Sequence, residues 1–295
     1  MRAYARIAGE SRVGDVGLVG DSLSSNVSSG NYAAIQIDYD NDGHGDMYLS
    51  KCRLGVTDPT DRRRINRLFR NDGTNSYSDE GSAAGLDDGE QSWCADFADI
   101  DNDGDLDCFV LNHGPGASKL FENDGSGSFT DISASAGLAD IDYFGIQALF
   151  RDFDNDTFVD LLVTTSNLGG SEATYRLYRN NGDSTFTDVT ATAFVVTEPF
   201  GPALGVSTAD FDDDGWLDIA TSTWDTAGTL RLYHNNGDGI LLGKLFWFIG
   251  RARVLALLGL LVGANSHYPD AAAAPSANAL RKLRTRREIV GLSNF

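Results

Sequence analysis

Apolar residues in this chain come in short runs set between polar, glycine-rich stretches. Four such runs are Met47-Tyr48-Leu49, Cys108-Phe109-Val110-Leu111, Leu161-Leu162-Val163 and Ile219-Ala220. They are too short for helices and read as strands. Each is followed by a basic-Leu-aromatic triplet: Arg67-Leu68-Phe69, Lys119-Leu120-Phe121, Arg176-Leu177-Tyr178 and Arg231-Leu232-Tyr233. In an extended chain the leucine falls on one face and its two neighbours on the other. A tight turn comes next, as Asn71-Asp72-Gly73, Asn123-Asp124-Gly125, Asn180-Asn181-Gly182 and Asn235-Asn236-Gly237. Asn-Gly and Asp-Gly tolerate the positive φ angles that a tight hairpin demands. Three of the turns lead into a further strand: Tyr77-Ser78-Asp79, Phe129-Thr130-Asp131 and Phe186-Thr187-Asp188. No helical periodicity stands out before residue 240.

Ahead of each apolar run lies a nine-residue loop with aspartate at positions one, three, five and nine. The copies are Asp38, Asp40, Asp42, Asp46; Asp99, Asp101, Asp103, Asp107; Asp152, Asp154, Asp156, Asp160; and Asp210, Asp212, Asp214, Asp218. The loops begin 61, 53 and 58 residues apart. Each unit therefore reads strand, aspartate loop, strand, strand, turn, strand. One such sheet cannot bury both faces alone, so the units must stack. The expected fold is all-β, a β-propeller of four-stranded antiparallel blades with four repeats visible. Two closures compete: a four-bladed ring completed by Tyr4-Ala5-Arg6-Ile7, or an incomplete propeller with more blades, which is preferred. The fourth unit is expected to lose its last strand, because Ile240-Leu241-Leu242 stands where Phe-Thr-Asp belongs.

Four carboxylates so close together repel one another unless a cation sits among them. A hard cation such as calcium takes six to eight oxygen ligands, and this spacing supplies them from one loop. Positions one, three and five turn carboxylates inward, and position nine closes the shell. Position seven offers its backbone carbonyl, so its side chain is free to vary: His44, Asp105, Phe158 and Trp216. Gly43, Gly104 and Gly215 at position six let the backbone reverse. Loop three has Thr157 there, and a β-branched residue resists positive φ, so loop three is expected to be strained or to bind most weakly. The alternative is that these aspartates only form Asx-turns. The flanks are strands and position twelve lacks glutamate, which disfavours an EF-hand. Zinc is disfavoured because His and Cys are scarce and not clustered. Up to four calcium ions are expected. Their affinity should be that of extracellular modules, roughly 10⁻⁴ to 10⁻³ M, which suits an exported protein.

The order strand, DxDxDGxxxD, strand, LYxNxG, FTD resembles the FG-GAP or VCBS repeat proteins, over roughly residues 30–238. Phe129 to Leu138, with its FTD and AGL elements, looks most like the ASPIC/UnbV-like branch that includes cartilage acidic proteins. The family also includes the heads of integrin α-chains. The resemblance implies a β-propeller with calcium in the loops, a position outside the cytoplasm, and adhesion or recognition rather than catalysis.

Charge sharpens this picture. The net charge is −20, but residues 1–240 hold 41 acids against 15 bases, and the remainder is basic. An acidic body argues against nucleic-acid binding. Residues 240–264 are apolar, yet Lys244, Arg251 and Arg253 interrupt them. A spanning helix is therefore not favoured, and contact with a membrane surface stays open. Residues 265–295 read as a basic, disordered tail. Met1 to Gly20 lack the apolar core of a signal peptide, so a leader is expected to be absent from this sequence. Of the three cysteines, Cys94 and Cys108 flank loop two on two arms of a hairpin; they are read as small buried hydrophobes rather than a disulfide, as is Cys52.

No catalytic constellation recurs. His44, His113, His234 and His267 share no position. His113, in the stretch Asn112-His113-Gly114-Pro115, is the best exposed contact candidate. Trp93, Trp216 and Trp224 are expected to pack between blades. The expected function is an extracellular calcium-binding module that recognises a protein or a carbohydrate. The rivals are a propeller enzyme acting on polysaccharide, and a passive spacer in a larger surface protein.

Overall fold

The computed structural model describes residues 30–74, 76–113, 118–139, 141, 144–165, 175–195, 203–223, 230–237 and 241–246. The strand expected at Tyr4 to Ile7, Trp224, His267 and residues 247–295 lie outside them.

The strands fall into four sheets. The first holds β1 (Asn31–Ile37), β2 (Asp46–Lys51), β3 (Arg67–Asn71) and β4 (Tyr77–Asp79) in that order. The second holds β5 (Ser92–Ala98), β6 (Asp107–Asn112), β7 (Lys119–Asn123) and β8 (Phe129–Asp131). The third holds β9 (Gly145–Arg151), β10 (Asp160–Thr165), β11 (Tyr175–Asn180) and β12 (Phe186–Asp188). The fourth runs from β14 (Ala203–Ala209) through β15 (Asp218–Thr223) and β16 (Leu230–Asn235) to β17 (Leu241–Phe246), with β13 (Phe194–Val195) added at its edge. Pairing is antiparallel throughout except for β13, which lies parallel to β17. Two single-turn helices, α1 (Gly81–Ala84) and α2 (Thr190–Ala193), follow β4 and β12. They are too short to leave a helical period in the sequence.

β17 corrects the reading of the fourth unit. Its last strand is not lost: Leu241 pairs with Asn235 and Phe246 with Leu230. A run of apolar residues makes this strand in place of Phe-Thr-Asp, and β13 pairs on its far side, because backbone pairing does not depend on which side chains supply it.

The middle strands are buried on both faces. β6 and β10 are buried at every position. Alternation sends Cys108 and Val110 toward the first sheet, where they join Tyr48, Leu68 and Leu86. Phe109 and Leu111 point the other way, to Phe150, Leu161 and Val163 of the third sheet. Leu162 in turn meets Val206, Ile219 and Tyr233 of the fourth. Each sheet thus shares a core with the next, which is how units that cannot bury two faces alone become stable. The aromatic of each triplet is buried, at Phe69, Phe121, Tyr178 and Tyr233, and so is the leucine of the first three. First strands also touch across sheets: the Phe150 amide donates to Asp96 Oδ2 at 2.8 Å, and the Val206 amide to Gln147 Oε1 at 3.0 Å. Cys94 faces Leu111 and Cys108 faces Phe97 on the β5–β6 hairpin, and all three cysteines are free.

Candidate metal centre

Every aspartate loop joins the first strand of a sheet to the second, so the four loops sit at corresponding places. Position nine opens the second strand and pairs with the last residue of the first: Ile37 with Asp46, Ala98 with Asp107, Arg151 with Asp160, Ala209 with Asp218. These four aspartates are buried. Each accepts two backbone amides. One comes from position two of its own loop (Tyr39, Ile100, Phe153, Phe211, at 3.0–3.2 Å). The other comes from the Asn that ends the third strand (Asn71, Asn123, Asn180, Asn235, at 2.7–2.9 Å). Burial pushes the carboxyl of Asp46 up to about 6, and those of Asp107 and Asp160 up to about 7, against the pull of those amides.

The front of each loop is a chain of Asx-turns. Position one accepts the amides of positions five and six, as Asp38 does from Asp42 at 3.1 Å and Gly43 at 2.9 Å. Position five accepts the amide of position seven at 2.9 Å in all four loops. The turn reading and the cation reading are therefore both present, because each oxygen that takes one amide keeps a second lone pair. Position three is different. Asp40 Oδ1 and Asp212 Oδ1 are buried without a hydrogen-bond partner. Burial, then neighbouring carboxylates, raise the carboxyls of Asp101, Asp154 and Asp212. A cation would relieve both costs.

In every loop three carboxylates bring an oxygen within 4.8 Å of one another: Asp38, Asp40, Asp42; Asp99, Asp101, Asp107; Asp152, Asp154, Asp156; Asp210, Asp212, Asp218. The donor set is all oxygen and includes buried atoms without partners, which fits a hard dication. Positions one, three, five and nine and the carbonyl of position seven would hold it. A second group in loop four contains Asp212, Asp214 and His234. His234 Nδ1 lies 3.1 Å from Asp218 Oδ1 and 3.5 Å from Asp212 Oδ2. His234, read from the sequence as unclustered, thus joins the aspartates of loop four. The fold brings His234 onto a loop whose nearest aspartate, Asp218, lies 16 residues away in sequence.

The backbone carries strain where it was expected. Position six has positive φ throughout: 85° at Gly43, 98° at Gly104, 94° at Gly215, and 82° at Thr157. Position four is also left-handed, at Asn41, Asn102, Asn155 and Asp213, residue types that tolerate it. The side chain at position seven is less free than its variety suggests. A Cβ added to the turn glycine Gly73 would lie 2.4 Å from His44 Nε2; at Gly125 it would meet Asp105, at Gly182 Phe158, and at Gly237 Trp216. Position seven packs over its own sheet's Asn-x-Gly turn, which needs glycine for close approach.

Two sets of asparagines link one sheet to the next, and spacing alone did not reveal them. Asn41 Nδ2 donates to the Gly104 carbonyl at 3.2 Å, Asn102 to Thr157 at 3.3 Å, and Asn155 to Gly215 at 3.1 Å. Position four of one loop thus binds position six of the next. The strand-ending asparagines reach the opposite way: Asn123 to the Tyr39 carbonyl at 3.0 Å, and Asn180 to Ile100 and Asn235 to Phe153 at 2.8 Å each. The available signal was Asn at position four in three loops.

His113 is not an exposed contact. It is 1% exposed, with Nδ1 2.9 Å from the Gly145 carbonyl and its ring stacked on Trp93 at 3.7 Å. Trp93 in turn stacks on Tyr32 at 5.1 Å, so it packs between sheets as expected.

The FG-GAP-like repeat profile matches residues 38–110, 99–163 and 152–221, which together span more than half of the chain. Cartilage acidic protein 1 of Xenopus tropicalis is 31% identical over 120 residues, 41% of this chain and 18% of that protein. The Homo sapiens protein is 34% identical over 104 residues, and that of Mus musculus 32% over the same length. In both the match takes in 35% of this chain and 15% of the relative. The matched part of the chain therefore corresponds to less than a fifth of these relatives.

Proposed function

Because the chain belongs to the FG-GAP-like repeat family, we propose that it is a calcium-stabilised β-propeller module that recognises a protein or a carbohydrate outside the cell. The blades are the four sheets. Their first strands contact one another in sequence, β1 with β5, β5 with β9 and β9 with β14, as innermost strands around an axis do. The observation that carries the metal assignment is the convergence of three carboxylates within 4.8 Å of one another in every loop, repeated on all four sheets. Calcium is millimolar outside cells, where sites of the affinity typical of extracellular modules, roughly 10⁻⁴ to 10⁻³ M, fill. Similarity to proteins named for cartilage supports the same location. Among the described residues no helix is long and apolar enough to cross a membrane. The repeat family and these relatives carry no enzyme name, which favours recognition over catalysis.

The test is calorimetric calcium titration of the full chain, with thermal melts in calcium and in chelator. Ion binding with a rise in melting temperature is expected, since a ligand that binds only the folded state stabilises it by mass action. No heat of binding and no shift would leave the aspartates as turn formers alone.

A further inference from the structure

The four loops share one grammar, yet a single strand position beside them does not repeat. It is the residue before the Asn that ends each third strand: Arg70, Glu122, Arg179 and His234. In the first three sheets it pairs with the middle residue of the last strand, Ser78, Thr130 and Thr187. The next residue is the Asn whose amide is bound by position nine, so this position is held beside the carboxylates.

In loop one the Arg70 guanidinium lies among the expected ligands. Its Nε donates to Asp40 Oδ2, and its Nη2 to Asp42 Oδ2 at 2.7 Å. Asp40 and Asp42 are two of that loop's three clustered carboxylates. An ion entering there must break both charge-assisted bonds, and the positive charge it would supply is already present. Loop three differs although Arg179 stands at the same position: Arg179 is exposed, and among the described residues no ion pair joins it to that loop. In loop four the position brings an imidazole. Nδ1 lies within 3.1–3.5 Å of oxygens of Asp218 and Asp212, and Nε2 3.9 Å from Asp214 Oδ2. The 3.1 Å contact to Asp218 is an imidazole–carboxylate hydrogen bond, and ligand atoms of Asp212, Asp214 and His234 lie within 4.8 Å of one another. A nitrogen donor beside carboxylates favours a borderline dication over calcium, because imidazole suits zinc and its neighbours while calcium takes oxygen.

We propose that this one strand position sets which cation loops one and four can take. Arg70 closes loop one with the chain's own cation, and His234 makes loop four a site for a transition dication of the zinc or cobalt class. The inference rests on the reading of the loops as cation sites.

The test uses the full chain and three variants, Arg70→Gln, Arg70→Lys and His234→Asn, each first shown to keep the wild-type circular dichroism. Calorimetric titration with calcium should give one more ion for Arg70→Gln than for wild type, and no more for Arg70→Lys, which restores the charge. Equal stoichiometry in wild type and Arg70→Gln would overturn the assignment of loop one. Titration with cobalt(II), followed by its visible absorption, should show one site in wild type whose affinity falls at least tenfold in His234→Asn, while that variant, with an oxygen donor in place of the imidazole, should bind calcium at least as well as wild type. Unaltered cobalt binding in that variant would overturn the assignment of loop four. Calcium binding by none of the proteins would overturn both the calcium reading and the role of Arg70, while the cobalt absorption would still decide loop four by itself.

Discussion

Replacing Asn180 by alanine should destabilise the protein far more than the same change at Asn71, although both end a third strand. Asn180 is 1% exposed. Its Nδ2 donates to the Ile100 carbonyl at 2.8 Å and the Val159 carbonyl at 3.2 Å, and its Oδ1 accepts the Gly182 amide at 2.9 Å. Alanine removes all three. The Ile100 carbonyl belongs to a fully buried residue of the neighbouring sheet, so water cannot replace the amide. A buried polar group left unpaired costs about 1–3 kcal/mol, and the two more accessible bonds add about 0.5–1 kcal/mol each, giving roughly 2–5 kcal/mol. Among the described residues, the Asn71 side chain bonds only within its own sheet, to Gly45 at 3.2 Å and from Gly73 at 3.1 Å. Its loss should cost about 1–2 kcal/mol. The side-chain volume removed is the same, so the packing loss largely cancels in the comparison. Urea unfolding of the full chain in chelator, wild type against both variants, measures the difference. A loss for Asn180→Ala no larger than for Asn71→Ala would refute the idea that these asparagines fasten one sheet to the next.

Two further outcomes follow from the loops. Thr157→Gly replaces a β-branched residue at φ 82°. Relief of about 1–2 kcal/mol is partly offset by the added freedom of glycine in the unfolded chain, so the net gain is up to about 1 kcal/mol; a lower melting temperature in chelator would contradict the strain. The buried carboxyls Asp107 and Asp160 keep their protons up to about 7 when folded, against ~4 unfolded. Between those values the folded state binds more protons, so stability in chelator should fall as pH rises from about 4 to 7. Calcium, which favours the ionised form, should stabilise more toward the upper end, and melts at stepped pH with and without calcium would show any opposite trend.

Much of this architecture was legible because it is written four times. The aspartate spacing, the apolar runs and the Asn-x-Gly turns each have a local cause, so one unit can be read against another. What stayed hidden depends on chain segments meeting from different sheets. Nothing in the order of residues places Asn102 against the Thr157 carbonyl, 55 residues on, or His234 against Asp218. His113 was misjudged because Gly and Pro follow it, and a loop composition suggests solvent; the ring is covered by Trp93 from β5. β17 is not legible by its Phe-Thr-Asp, because a strand needs only a free backbone to pair with, here β16 on one side and β13 on the other. Thr157, by contrast, betrayed its strain in the sequence, since φ at position six follows from the turn itself.

The bond from each position-four asparagine ends on a main-chain oxygen, of Gly104, Thr157 or Gly215. Its acceptor is therefore indifferent to the side chain that carries it. A unit can drift at position six, as the threonine shows, and still receive its neighbour. It can also be duplicated or exchanged whole, because every copy offers the same carbonyl at the same place. The coupling thus works as a standard fitting between interchangeable parts, and it lets such arrays lengthen by gene duplication without each new joint having to be invented.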